Sequence, residues 1–490
     1  MSSTRQPEEA PEKITASAAL NPSRWGTTFT SLKEAEYAWF FAGNIAFFMG
    51  MQMQFVLRGF LAYDLTGRAT SLAIVSVAIA IPMVLVAPFG GVIADRMNKR
   101  NVLIITQAGS SLASLLIAIL ILAGQIEFWH LVAVSLFTGS LFSVNMPARQ
   151  ALVPNLVPQH KLMNAISLQM GGMNLTRIIA PAMGGLLIAP FGVGWVYMLT
   201  TALFTLAVLS EFKLPPHGMV PGGKYGTFRE DMGGGFRYIL EDPTLRLLML
   251  AALIMPLFAF PVQQLLPVFA SDVFSDGSQE QGGLILGVLA AASGVGGLAG
   301  ALVSANMDAQ PAKGKLMFIG GAAMGIFLLA FAWAPVLIFG IIFLVAMGVG
   351  QMLFQVTNNT AIQAELPPEI RGRVMSVLMM SFGLMPLGVL PVSLATDAFG
   401  PRTAIALSAT VLLITMSLMW GLSARLRNLR LNAARQAELS PVQAAVLVAE
   451  GKLTQEEADR LTGEAERRAE RERERAARVG KTGAGKSAAP

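Results

Sequence analysis

The sequence predicts an all-α membrane protein, with twelve transmembrane helices in two pseudo-symmetric six-helix bundles. Three observations predict it. About a dozen apolar runs of roughly 20 residues recur along the 490-residue chain, each long enough to cross ~30 Å of hydrocarbon as a helix. A polar stretch from Lys213 to Thr244 divides the runs into two sets of six. A shift of 210 residues then lays Ala151, Leu156, Pro158, Leu168, Met170 and Pro181 on Ala361, Leu366, Pro368, Leu378, Met380 and Pro391. The same shift places Lys161 on Arg371, Gln54 on Gln264 and Gly90 on Gly300. Two six-helix halves related in this way suggest a carrier whose site lies between them near the bilayer midplane.

Composition agrees. The chain is 54% hydrophobic and 13% charged, against about 25% charge in soluble domains. The net charge of +6 is spread over short connections and the C-terminal tail, which argues for membrane orientation and against nucleic-acid binding. Cysteine is absent, which excludes disulfides, thiolate metal sites and a cysteine nucleophile. The first 30 residues are polar, and no cleaved signal peptide is expected.

The first set of spans is predicted near 37–61, 70–94, 102–124, 128–149, 163–189 and 193–212. The second is predicted near 245–271, 282–305, 315–333, 335–360, 373–397 and 402–423. In lipid every backbone group must be paired internally, so the runs are helices despite their Gly and Pro. Breaks such as Pro82 and Pro88, or Pro256, Pro261 and Pro267, often line a cavity. The domain plan is a disordered N-terminus (1–30), two bundles (31–212 and 244–424), a central linker (213–243) and a helical or disordered tail (425–490). In the tail, Ser440-Pro441 and Thr454 with Glu457 are helix-start patterns. Its string from Gly480 to Ser487 imitates a phosphate-binding loop but lacks the flanking strand and helix.

Lys and Arg set the orientation. With the N-terminus cytoplasmic, the inner loops hold Arg96, Lys99, Arg100, Arg149, Lys161, Lys313, Lys315, Arg371 and Arg373. The outer loops hold only Arg68 and Arg402, beside the acids Glu127, Asp272, Asp276 and Glu280. Both termini are therefore expected in the cytoplasm, with the chain multi-pass in the inner membrane.

The loop after the second span reads Gly90-Gly91-Val92-Ile93-Ala94-Asp95-Arg96-Met97-Asn98-Lys99-Arg100. It resembles the G-x-x-x-D-R-x-x-R-R/K motif of the major facilitator superfamily. Gly91 permits close packing, Asp95 can meet a helix N-terminus, and Arg96 and Arg100 hold the loop inside. The corresponding second-half loop, Gly300 to Lys315, lacks the Asp-Arg pair, so any latch is asymmetric. A plain topogenic basic loop is the alternative. The fifth span carries Ala180-Pro181-Ala182-Met183-Gly184-Gly185, similar to the G-P-x-x-G-G core of exporter branches; an ordinary tight helix crossing is the competing reading. Together with Arg58 to Gly67, Pro147 to Pro158 and Arg371-Gly372-Arg373-Val374, these stretches resemble the drug–proton antiporter branch containing macrolide and enterobactin exporters. The resemblance spans about 30–425. It implies export of apolar or amphipathic small molecules, drug- or siderophore-like, by alternating access with proton antiport. Many such exporters carry an Arg four residues before a Gly in the fourth helix; here Ser135 precedes Gly139.

The candidate substrate-cavity residues are Arg177, Asn44, Gln54, Asn145, Gln264, Gln351, Gln355 and Asn358. A mid-span Arg177 costs ~3 kcal/mol or more in lipid and should face protein or water. The amides recur at helical spacing and serve either a site or interhelical hydrogen bonds. Gating or conformational roles fall to Gly91, Asp95, Arg96, Arg100, Pro181, Gly184, Gly185 and Arg371. Asp64, with Arg58, is the candidate for proton coupling, since no carboxylate occupies the middle of a span. The expected partners are a small-molecule substrate, protons and the lipid bilayer, with no nucleic acid and a monomeric state. No cofactor, metal site or catalytic residue set is expected. A lysophospholipid flippase, a small-molecule importer and a transporter-like sensor signalling through the tail are the rival functions.

Overall fold

The computed structural model describes residues 29–215, 236–275, 279–307, 313–366 and 384–427, with a few single positions between 370 and 378 and at 429. For residues 87–96 only the backbone is described. Asp95 and Arg96 therefore lie within a continuous helix whose side chains there are outside the description, and Arg371 and the tail beyond 429 are outside it altogether.

The described regular structure is helical. The helices are α1 (Ala35–Thr66), α2 (Thr70–Arg96), α3 (Lys99–Leu122) and α4 (Phe128–Leu156). A single helical stretch, Leu162–Glu211, is broken at Gly192 into limbs α5 (162–191) and α6 (193–211). There follow α7 (Pro243–Val273), α8 (Gln279–Asn306), α9 (Lys313–Ala332), α10 (Leu337–Glu365), α11 (Met385–Phe399) and α12 (Pro401–Leu422). Among the described residues nine of these stretches are long and apolar enough to cross a membrane, counting Gln159–Glu211 as one. Thr70–Val86 and Met385–Phe399 are shorter apolar helices.

Local chemistry sets the ends. Asn98 accepts from the Arg100 amide at 3.0 Å and starts α3. Asp242 accepts from the amides of Thr244 and Leu245 at 2.8 and 3.0 Å, with Pro243 as the first helical residue of α7. Gly192 has φ 75° and Gly400 φ 85°, left-handed conformations that a side chain would strain. These two glycines turn α5 into α6 and α11 into α12. The prolines of α7 accompany two π-turns, Met255–Ala259 and Phe269–Val273.

The chain divides into two compact units. The first comprises Met1–Thr66, Val77–Gly223 and Gln279–Gly287 over their described parts. Its core joins Tyr37 and Phe40 of α1 to Val102 and Leu103 of α3 and Ala148, Leu152 and Leu156 of α4. A second cluster joins Ala46, Phe47 and Phe48 to Phe204 and Ala207 of α6. The buried Tyr37 hydroxyl donates to the Ala165 carbonyl at 2.6 Å. The second unit comprises Gly67–Ser76, Lys224–Ser278 and Val288–Pro490 over their described parts. In it Gly320 of α9 and Gly350 of α10 stand backbone to backbone, and Gly388 of α11 lies on the Leu257 backbone of α7. Small residues permit such close approach where lipid offers no hydrophobic drive between helices.

Two expectations need correction. Arg149 is not a loop residue: α4 runs on through Pro147 and Pro154 to Leu156, and Arg149 is 0% exposed within it. Lys313, also placed in a loop, is a buried residue at the start of α9. The predicted span, 128–149, stops seven residues short of the end of α4. Membrane helices carry interior prolines because neighbouring groups take up the freed carbonyls.

Candidate functional site

The first unit encloses a cavity of about 180 Å³. Its walls are apolar and flexible, with Met51 and Phe55 from α1, Met83 from α2 and Phe142 from α4. Three residues singled out in the sequence give it polarity: Gln54, Arg58 and Asn145. Gln54 and Arg58 are one turn apart on α1, so they share a face. Arg58 Nη2 donates to Gln54 Oε1 at 2.7 Å, while Gln54 Nε2 is buried with no partner. The Tyr197 ring of α6 places its hydroxyl within electrostatic reach of Arg58. Arg58 is 7% exposed.

Asn145 connects the cavity wall to a buried polar network. Its Nδ2 donates to Thr106 Oγ1 at 2.7 Å, and its Oδ1 accepts from Arg149 Nε at 3.0 Å. Arg149 Nη1 donates to Asn44 Oδ1. The guanidinium lies 4.4 Å from the Phe47 ring centroid and 5.5 Å from that of Phe48, cation–π contacts strengthened by burial. Asn44 is thus a partner of Arg149 and is absent from the cavity wall. Nearby, Glu211 at the end of α6 is 0% exposed. Its Oε1 accepts from Gln107 Nε2 at 3.2 Å and its Oε2 has no hydrogen-bond partner.

The other predicted residues are placed as follows. Arg177 is exposed on α5, on one stripe with Met170, Met173 and Asn174 at helical spacing. Gln264 belongs to the second unit and donates to Ser76 Oγ at 2.9 Å. Gln351 and Asn358 are buried on α10, and Gln355 is half-buried there. Asp64 is exposed at the end of α1, in a separate hollow lined also by Ile121, Phe191 and Trp195. Arg100 caps the end of α6, donating from Nε to the Glu211 carbonyl at 3.1 Å and from Nη2 to that of Phe212 at 3.0 Å. A side chain at Gly185 would collide with the Gly287 backbone, whereas one at Gly184 would meet Met53 at an ordinary 3.6 Å. Pro181 sits inside α5 one turn before them. Ser135, four residues before Gly139, is fully buried with its hydroxyl unpartnered.

Three polar residues were missed. Arg149 stands among the predicted loop cations, and Glu211 falls inside the predicted span 193–212 without being singled out. Asp397 of α11 accepts from the Ala69 amide at 2.6 Å, from the Thr70 amide at 2.9 Å and from the Thr70 hydroxyl, so it caps the start of α2. A sequence signal exists for the first: Asn145 and Arg149 are spaced i, i+4 inside a run that stays apolar on both sides. Glu211 and Asp397 carry none, because their partners are distant in sequence. Among the described residues no group of three or more His, Asp or Glu is placed to hold a metal.

Comparison with known proteins adds the family. Residues 26–479 match the family described as transmembrane secretion effectors. The chain is 25% identical over 385 residues to the staphyloferrin A transporter of Staphylococcus aureus, covering 77% of this chain and 94% of that protein. It is 25% identical over 285 residues to the enterobactin exporter EntS of Citrobacter koseri, covering 58% of this chain and 67% of that protein. Among solved structures, a bacterial homologue of the human lysosomal transporter Spinster superposes with a TM-score of 0.65 at 14% identity, covering 81% of this chain and 98% of that one. The nucleoside transporter NupG superposes with a TM-score of 0.62 at 15% identity, covering 79% and 99%. At these identities the structural likeness establishes the fold alone.

Proposed function

The chain belongs to the transmembrane secretion effectors of the major facilitator superfamily, and on that footing we propose that it is a secondary active exporter of siderophore-like or other amphipathic small molecules. The observation that carries this reading is the cavity of the first unit, where a few amides and one cation stand against methionine and phenylalanine walls. Ligand sites have this character: mostly apolar, with few polar groups that fix orientation. Methionine adapts to irregular ligands. The relatives support the class of cargo, one being a staphyloferrin A transporter and others enterobactin exporters.

Arg177 extends the polar surface. An Arg on an exposed stripe with Asn174 is too costly to face lipid, so the stripe lines water along the substrate's route. Alternating access needs interfaces with two arrangements, and the close packing of Gly185 on Gly287 is the contact to which we assign that role. Asp95, Arg96, Gly91 and Arg371 remain assigned to the opposite latch, with Arg100 anchoring the end of α6. Both termini are cytoplasmic in this reading. Without Arg149 and Lys313, the cationic excess on that side still rests on Lys161 in the connection after α4 and on Arg96, Lys99, Arg100 and Lys315 in the end turns of α2, α3 and α9.

Glu211 is the carboxyl to which we assign proton exchange, ahead of the exposed Asp64. Its carboxyl is buried, accepts a hydrogen bond from Gln107 through Oε1 and leaves Oε2 without a partner. A buried carboxyl oxygen of this kind is a place where a proton can be taken up or released as the helices around it move. The test is flux in proteoliposomes loaded with iron-free staphyloferrin A or enterobactin, with and without an imposed pH gradient. Protein-dependent movement of either compound is the expected result. Absence of flux for both, in protein that is folded and inserted, would overturn the reading.

A further inference from the structure

Among the described residues, Arg58 is the only charged one lining the cavity of the first unit, and none that lines it is acidic. Among the described residues no carboxylate lies within ion-pair distance of it. Asp64, one and a half turns further along α1, is exposed and lines a different hollow. The side-chain hydrogen bond from Arg58 to Gln54 Oε1, at 2.7 Å, occupies fewer than half of the five N–H donors of a guanidinium. Beside it Gln54 Nε2, also buried, is a donor with nothing to donate to. Among the described residues, the cavity thus offers a cation and a spare amide N–H to an occupant, and no anion.

A buried charge without an opposite charge is an unstable arrangement. An occupant that brings a negative group resolves it, and a cationic occupant worsens it. Guanidinium is matched to planar oxyanions, which it can grip through two parallel hydrogen bonds. Around this head-group site the walls are Phe47, Phe55, Phe142 and Met51, which suit an aromatic or aliphatic body.

Resting on the exporter reading, we propose that Arg58 and Gln54 form an anion subsite, and that the cargo is an organic anion, a planar oxyanion such as a carboxylate on an apolar body. Arg58 is then the specificity-determining residue, and the pair discriminates against the hydrophobic cations that an acidic cavity would admit. The assignment bears on energetics. Outward movement of an anion is favoured by a membrane potential negative inside, so export of such a cargo draws on the potential directly and leans less on protons.

The experiment is equilibrium binding to the full-length protein in detergent or nanodiscs. The probes are three compounds with one aromatic body: 1-naphthoate, 1-naphthamide and 1-naphthylmethylammonium. The wild-type chain is expected to bind naphthoate about tenfold more tightly than the amide, the worth of a single charged hydrogen bond, and the ammonium most weakly. Arg58→Gln should bring the naphthoate-to-naphthamide ratio to about one, with a cooperative melting transition in detergent reporting that the variant is folded. Arg58→Lys keeps the charge without the fork and should retain a reduced preference for naphthoate. A wild-type preference for the amide or the ammonium, no saturable naphthoate binding, or a ratio unchanged in both variants would each overturn the proposal. Flux of staphyloferrin A or enterobactin decides the exporter reading separately: transport without anion preference sinks the subsite alone.

Discussion

Arg149 of α4 donates to Asn44 of α1 in the interior of the first unit, and both side chains are almost wholly buried. With Asn145 and the rings of Phe47 and Phe48 this hydrogen bond fastens two helices that the sequence separates by about a hundred residues. Removing one partner strands a desolvated polar or charged group, and that penalty exceeds the net worth of the hydrogen bond itself. Asn44→Ala is expected to lower stability by ~1.5–3 kcal/mol, and Arg149→Ala by ~3–5 kcal/mol, read as loss of thermal stability in detergent. Melting unchanged in both variants would show that the network carries no weight.

Asp397 offers a second test. Its carboxylate caps α2 from the far end of the chain. Asp397→Ala should cost about 1 kcal/mol, typical of a lost N-cap, and should raise maleimide labelling of a cysteine introduced at Ser71. Asp397→Asn keeps an acceptor and should recover part of the loss. Equal behaviour of the two variants would argue against capping.

The paired glycines of α5 separate packing from conformational freedom. Gly185→Ala drives a methyl into the Gly287 backbone, and Gly184→Ala reaches Met53 only at ordinary van der Waals distance. The first is expected to destabilise by ~1–3 kcal/mol, the usual cost of overpacking, and to reduce flux; the second should be close to neutral. Equal melting temperatures and equal flux would contradict the described α5–α8 approach.

Glu211→Gln replaces the buried carboxyl by a group of the same shape that can still accept from Gln107 at the amide oxygen. Downhill exchange of substrate should persist while the response of flux to a pH gradient is lost. Wild-type response to the gradient in folded Glu211→Gln protein would remove this residue from proton exchange.

Much of the fold was legible because one rule governs it. Long apolar runs must be helices in lipid, and the bends at Gly192 and Gly400 fall between predicted spans. The cavity was legible in part. Gln54, Arg58 and Asn145 stood out as polar residues inside apolar runs, and all three line one cavity. Asn44 stood out for the same reason yet serves Arg149, since a one-dimensional pattern cannot tell a ligand-facing amide from one spent on a neighbour. Arg149 was hidden by standing at the end of the predicted span 128–149, where a cation reads as part of the following basic loop, whereas α4 runs on to Leu156. Glu211 and Asp397 were hidden because acids near span ends ordinarily meet water. The burial of one and the capping role of the other come from partners 104 and 327 residues away.

The central claim is that cargo passes through the cavity bounded by Gln54, Arg58 and Asn145. The natural chain has no cysteine, so a single Met51→Cys places the only thiol on that wall. The direct measurement is siderophore flux by Met51→Cys protein in liposomes before and after maleimide labelling, with labelling repeated in the presence of saturating substrate. Substrate is predicted to slow labelling, and labelling to abolish flux. Fully labelled protein that transports at the unlabelled rate would place the route elsewhere and contradict the account.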